Sequence, residues 1–324
     1  MRYTIQIPKE KSFRDDVKVK TNPIWGNPME WFDNNTLQNF NLNKIQFDFF
    51  IDWSTNEMKN TIWLKRIYDV EPLTEDIQHT FEVGTLYQKI LEADYGHFNT
   101  NEYLNFFHSK GLLSKYMIIK DRDTIKDFRP YNNEITKSIV TELAINYSSP
   151  HTITHINLQN LRQRIRQLTG IPLKTVRKPL NISTSALESY LYESGYDKWP
   201  GDCDLLLFDS NYNCVGIIEF KKHNLSERPL ENQSVGSYIH SNDKSKYQRL
   251  GLLRDYFAKK QNSPVPLIVL IYPSYPTETK IKLEFLEGTW DDLSISQSKV
   301  LNGPSNYTNK CNIIREIIGE QLKC

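Results

Sequence analysis

A chain of 324 residues, 39% hydrophobic and 24% charged, can bury one large core or two modest ones and has the composition of a soluble globular protein. Forty basic against 39 acidic residues leave a formal charge of +1, which excludes a whole-molecule field that gathers polyanions. The polar start MRYTIQIPKEKSFRDD is unlike a signal peptide, no apolar run reaches the ~20 residues of a membrane span, and Cys203, Cys214, Cys311 and Cys324 form no Cys-x-x-Cys pair. A reduced, cytoplasmic protein with no membrane partner is the expectation.

Residues 1–130 read as an N-terminal α+β region, a natural place for substrate recognition. Strand-like runs occur at YTIQI, KIQFDFFIDW and NTIWLKRIYDV, and GTLYQKILEADYG has helical spacing. NEYLNFFHSKGLLSKYMII mixes both periods and stays open. The turn chemistry of FRPYNNE, near 128–134, marks the boundary with a second region, 131–324. There EITKSIVTELAINY sets Ile135, Ile139, Leu143 and Tyr147 at helical spacing. NLQNLRQRIRQLTG does the same with Leu158, Leu161, Ile165 and Leu168, and Gly170 supplies a stop. LKTVRKPLNI suits a short strand, and SALESYLYESGY a helix opened by a capping box from Ser185 to Glu188. The hairpin described below follows, then the helix DKSKYQRLGLLRDYFAKK and the continuous apolar strand VPLIVLIYP. KIKLEFLEG suits one more strand and NKCNIIREIIGEQL a final helix. Helices flanking a mixed central β-sheet, an α/β class, are expected.

From Leu143 to Leu187 there is no acid at all, while Arg162, Arg164, Arg166, Lys174, Arg177 and Lys178 fall inside that window. Such a segment suits a phosphate backbone, and equally a solvated helix face balanced by acids elsewhere.

The chemistry concentrates in GDCDLLLFDSNYNCVGIIEFKKHN, residues 201–224. If CDLLLFD and CVGIIEFKK are antiparallel strands joined around SNYN, Asp204 lies opposite Glu219 and Asp202 opposite Lys221. Alternation with period two then puts all four side chains on one face. A three-residue loop would slip the register and part the acids. Opposed carboxylates repel unless a cation lies between them, and oxygen donors of this kind suit Mg²⁺. Glu-x-Lys by itself says little: Glu57-Met58-Lys59 and Glu278-Thr279-Lys280 share the spacing in polar surroundings. Only Glu219-Phe220-Lys221 ends an apolar strand that follows another strand opened by Asp.

These residues resemble the PD-(D/E)xK nuclease superfamily, whose fold is restriction-endonuclease-like. The likeness covers residues 200–273: Asp204 heading one strand, Glu219-Phe220-Lys221 ending the next, then a helix and a strand. It implies a Mg²⁺-dependent nuclease, first of all a DNA endonuclease, with Mn²⁺ as a substitute ion. By the same resemblance Asp204, Glu219 and the carbonyl of Phe220 hold the metal, and Lys221 positions the attacking water. Nucleic acid is the implied partner, DNA ahead of RNA, and a homodimer is compatible with it. The family's Pro-Asp pair is replaced by Pro200-Gly201-Asp202-Cys203-Asp204, so Asp202 competes with Asp204 as ligand. Asp204 is preferred because three aliphatic residues follow it. Many members add an acid from the first helix, for which Glu142 and Glu188 compete. Gln248 and Tyr247 match a helix of some branches, although packing accounts for Tyr247. The alternative is a catalytically inactive module on the same fold that binds nucleic acid or a partner. His151 and His155 have i,i+4 spacing, but the β-branched residues between them argue against a helical ligand pair. His223 reads as a loop residue.

Overall fold

The computed structural model describes residues 3–7, 25–70, 82–120, 138–147, 151–170, 200–223, 229–241, 243–274 and 277–319. The chain is mixed α/β and divides into two compact units. FRPYNNE, LKTVRKPLNI and SALESYLYESGY lie outside the described residues, and with them Lys174, Arg177, Lys178, Ser185 and Glu188.

The first unit draws on Met1–Lys18, Phe47–Tyr95 and Gly111–Pro200. Its strands run in the order β2 (Leu42–Asp52, of which the part from Phe47 belongs here), β3 (Glu57–Val70), β4 (Leu113–Lys120), β5 (Ser138–Ala144) and β6 (Thr152–Asn157), with β1 (Tyr3–Gln6) also paired to β3. The β3–β4 pairing is parallel and the β1–β3, β2–β3, β4–β5 and β5–β6 ladders are antiparallel, so the sheet is mixed. Helix α1 (Asn34–Gln38) belongs to the second unit, and α2 (Val83–Asp94) and α4 (Leu158–Thr169) to this one. Leu161 and Ile165 of α4 pack on Phe50, Trp63, Met117, Ile119, Val140 and Ile156. Phe50 and Trp63 meet edge to face at 4.5 Å, the geometry that ring quadrupoles favour. As expected, α4 stops at Gly170, whose φ of 68° is left-handed. A Cβ there would lie 2.2 Å from Asp52 Oδ1, so the position requires glycine on two counts.

One expectation is corrected here. EITKSIVTELAINY does not supply a helix to the described chain; Ser138–Ala144 is strand β5, paired to β4 and β6. Ile139, Val140 and Thr141 are consecutive β-branched residues, which pack well on a pleated surface and lose side-chain freedom in a helix. That preference outweighs the helical spacing of the flanking apolar residues. The mixed segment 101–119 resolves into the C-terminal part of helix α3 (Thr100–Ser109) and most of β4.

The second unit draws on Val19–Gln46, Gly96–Lys110 and Gly201–Cys324, so residues 1–130 contribute to both units. Its strand order is β11 (Asp292–Asn302), β10 (Lys280–Thr289), β9 (Leu267–Pro273), β8 (Cys214–His223) and β7 (Gly201–Asp209). The β8–β9 pairing is parallel, and the β7–β8, β9–β10 and β10–β11 ladders are antiparallel. Two sets of helices cover the two faces, and side-chain alternation divides the strands between them. Leu205, Leu207, Ile218, Ile268 and Leu270 join Trp31, Phe32 and the inner residues Ile313, Ile314 and Ile317 of the last helix, Tyr307–Ile318. On the other face Phe208 stacks on Phe106 of α3 at 4.5 Å, and Phe106 on Phe257 at 5.4 Å. Phe257 belongs to the helix Lys244–Gln261, which also buries Tyr247, Leu250, Gly251 and Leu253. Numbered in chain order after a short turn of helix, α5 (Gly236–Ile239), these two long helices are α6 (Lys244–Gln261) and α7 (Tyr307–Ile318). Gly251 lets α6 approach closely: a Cβ there would stand 2.8 Å from the Trp290 Cα. Among the described residues no helix is long and apolar enough to cross a membrane.

Candidate functional site

The β7–β8 hairpin keeps the expected register by an unexpected route. Its loop is the three-residue one, Ser210, Asn211 and Tyr212, closed by the Asp209 N–H donating to the Asn213 carbonyl at 3.0 Å, and a bulge takes up the slip that such a loop would cause. Leu205 faces Ile218, Leu206 faces Ile217 and Leu207 faces Gly216, before a bulge sets Phe208 against Cys214. Asp209 closes the loop by accepting the backbone N–H groups of Asn211 (2.9 Å) and Asn213 (2.7 Å) through Oδ1, while Tyr212 takes a left-handed φ of 59°. One step beyond Leu205–Ile218, the same register opposes Asp204 and Glu219. There the side chain takes over from the ladder: the Phe220 N–H donates to Asp204 Oδ2 at 2.8 Å. The Phe220 ring points the other way, against Phe32 and its core.

Asp204, Glu219 and Lys221 therefore face α6 rather than α7. Glu219 is 3% exposed. Its Oε1 receives Lys246 Nζ at 2.5 Å, whereas Oε2 is buried with no hydrogen-bond partner among the described residues. Burial pushes the Asp204 carboxyl above its ordinary value, with Asp202 adding to the rise and Lys246 and the Phe220 N–H opposing it. Burial and then the neighbouring Asp204 push Glu219 well above the usual carboxylate range, against the pull of Lys246. Burial alone would depress the Lys246 ammonium, yet Asp202, Glu219 and Asp204 hold it well above the usual lysine value.

Lys221 makes different contacts. Its Nζ donates to Asp243 Oδ2 at 3.1 Å, at the N-cap of α6, and lies 3.8 Å from the ring centroid of Tyr238 on α5. That distance is a close cation–π contact. Arg249, one turn beyond Lys246, keeps a buried Nε without a hydrogen-bond partner. Burial lowers the pKa of its guanidinium, with Asp202 and Glu219 opposing.

Lys246, Asp243, Tyr238 and Arg249 escape the sequence reading. One signal for Lys246 is present in hindsight. It continues the stripe Leu250, Leu253, Phe257 at helical spacing, so it occupies a position that faces the sheet. Tyr247 is 1% exposed, in keeping with a packing role, and Gln248 is half-buried.

Other expected positions fall elsewhere. Glu142 lies on β5 of the first unit, where Lys115 Nζ reaches Oε1 at 3.2 Å and Arg164 Nη1 reaches Oε2 at 2.5 Å. Arg164 of the basic window is thus engaged with a buried carboxylate. His151 accepts the Asn146 N–H at Nδ1 and meets the Tyr87 ring, while His155 hydrogen bonds Thr141 from β6. His223 is not a loop residue: it ends β8, 4% exposed, its carbonyl accepting from the Ser274 N–H and hydroxyl. The other two Glu-x-Lys copies sit beside turns, with Lys59 paired to Asp52 and Lys280 to Glu231.

Among the described residues, no group of three or more His, Cys, Asp or Glu side chains is arranged to hold a metal ion. Asp204 and Glu219 still offer two converging carboxyl groups, one with an unpartnered buried oxygen, which fits a hard cation completed by backbone carbonyl and water. No family model matches this chain, and no curated protein or solved structure matches it either.

Proposed function

We propose that the chain is a Mg²⁺-dependent nuclease of the restriction-endonuclease-like class, acting on DNA in preference to RNA. The observation that carries this reading is the buried, unpartnered Oε2 of Glu219 beside the Asp204 carboxyl. A buried acid left half-satisfied costs stability, and a bound cation would offset that cost. The order of elements adds support: two antiparallel strands carrying the acids, then α6, then β9 parallel to the second strand.

Asp204 and Glu219, with the Phe220 carbonyl, would hold the ion, and Mn²⁺ would serve in its place. When bound, such a cation offsets the charge that gathers on a phosphoryl group during hydrolysis. Asp243 and Tyr238 fix the Lys221 ammonium at the end of β8, where it orients the attacking water. Asp202 supplies further negative charge around Lys246 and Arg249 rather than the first ligand. The exposed Arg166 on α4 belongs to the segment suited to phosphate backbone.

One feature favours the second reading, a binding module that does not cleave. Both lysines of the site already have carboxylate partners. Supercoiled plasmid, single-stranded DNA and RNA incubated with Mg²⁺, Mn²⁺ or EDTA separate the two. The nuclease reading expects metal-dependent cleavage, abolished by EDTA and reduced about 10²-fold or more in Asp204→Ala and Lys221→Ala. Full cleavage by both variants would sink the site assignment. Salt-sensitive binding without cleavage of any substrate would establish the module instead.

A further inference from the structure

We infer that Lys246 is a built-in counter-ion of the acid pair, which a divalent cation must displace to enter the site. The inference rests on the metal-site reading above and concerns how that site is filled. A cation bridging Asp204 and Glu219 needs the Glu219 carboxylate, and the Lys246 ammonium already stands 2.5 Å from one of its oxygens. Two cations that close repel strongly in a partly buried site, so one leaves as the other arrives.

The two partners differ in their freedom to move. Glu219 lies on a strand paired on both sides, with its side chain 3% exposed. Lys246 stands in the first turn of α6, and its side chain keeps 32% of its accessible surface. The lysine reaches the acids from the rim along a flexible four-carbon stem, so its head can swing into water without disturbing the helix. Lys221 cannot serve in this way, because Asp243 and Tyr238 hold it. Arg249 cannot take over either, since it makes no hydrogen bond to Glu219 Oε2, which stays unpartnered.

The consequence is a site that carries its own positive charge before metal arrives. The lysine offsets repulsion between the buried acids at rest, and metal binding is weakened by the need to expel it.

Calorimetric titration of Mn²⁺ into the wild type, Lys246→Met and Asp204→Asn tests this without any substrate. The methionine keeps the stem and removes the charge, so binding should tighten about tenfold or more. Asp204→Asn should lose binding. If the wild type binds and Lys246→Met binds equally or more weakly, the counter-ion role is overturned while the metal site stands. If neither wild type nor Lys246→Met binds at millimolar Mn²⁺, the metal-site reading itself falls. A second measurement covers a Lys246→Met chain that fails to fold. Amine acetylation of the wild type, mapped by mass spectrometry with exposed Lys244 as reference, should rise at Lys246 when Mn²⁺ is added. Unchanged or reduced labelling there would overturn the displacement.

Discussion

Two buried glutamates of the same sheet, Glu219 on β8 and Glu284 on β10, are each paired with a lysine and are otherwise opposites. Lys282 Nζ meets Glu284 Oε1 at 2.9 Å and also donates to the carbonyls of Glu231 and Gln233. Glu284 Oε2 accepts the Val235 N–H at 2.7 Å, with Ser234 Oγ nearby at 3.5 Å. Both carboxylate oxygens of Glu284 thus have partners, and the result is a strap that ties residues 231–235 to the sheet. At Glu219 one oxygen has a lysine that is a third exposed, and the other has no hydrogen-bond partner among the described residues. A satisfied buried pair ties elements of the fold together, whereas an unsatisfied one costs stability where it stands.

The sharpest way to break that contrast is Lys282→Met. It strands Glu284 in the core and leaves two carbonyls without their donor, so folding stability should fall by about 3–5 kcal/mol. Urea unfolding followed by fluorescence reads the loss directly. A loss under about 1 kcal/mol would mean that the strap is not structural.

Lys44 adds a third case, a buried lysine with no carboxylate in contact among the described residues. It is 8% exposed, its Nζ lies 3.4 Å from the Met29 carbonyl, and the Phe98 ring is 5.9 Å away. Burial lowers its pKa to about 8, with Asp33 and Glu30 opposing from a distance. Because the unfolded chain holds that proton up to the ordinary lysine value, stability rises with pH between about 8 and 10.5 and is lost as pH falls through 8. Lys44→Met should therefore stabilise the protein at pH 7 by on the order of 2–3 kcal/mol and flatten that slope. Thermal unfolding at pH 7, 8.5 and 10 checks both outcomes, and a destabilised variant at pH 7 would refute the first.

The hairpin was legible because its two strands alternate, its loop residues suit a tight turn, and only one register brings the charges together. β9 was legible from its unbroken apolar run. What stayed hidden had physical causes. β11 carries serines and a lysine along an exposed strand, SISQSKV, so no apolar alternation announces it. Lys246 hid because a lone lysine in a helical stripe reads as solvated surface. Only the position of the sheet beneath α6 shows that it points at acids.

Glu142 tests whether satisfied acids can be set aside as scaffold. The sequence offered it as a third ligand from a helix, but it lies on β5 with both oxygens paired, to Lys115 and to Arg164. Glu142→Gln keeps the shape and weakens two charge-assisted bonds whose cations are about a third exposed, so the expected loss is only about 1 kcal/mol. Mn²⁺ affinity and any cleavage rate should stay within about twofold of the wild type, because the residue is fully committed within its own unit. A Glu142→Gln chain with wild-type stability but strongly weakened Mn²⁺ binding would reverse that conclusion. Glu142 would then be a ligand whose ion pairs give way to metal, as Lys246 is inferred to do at Glu219.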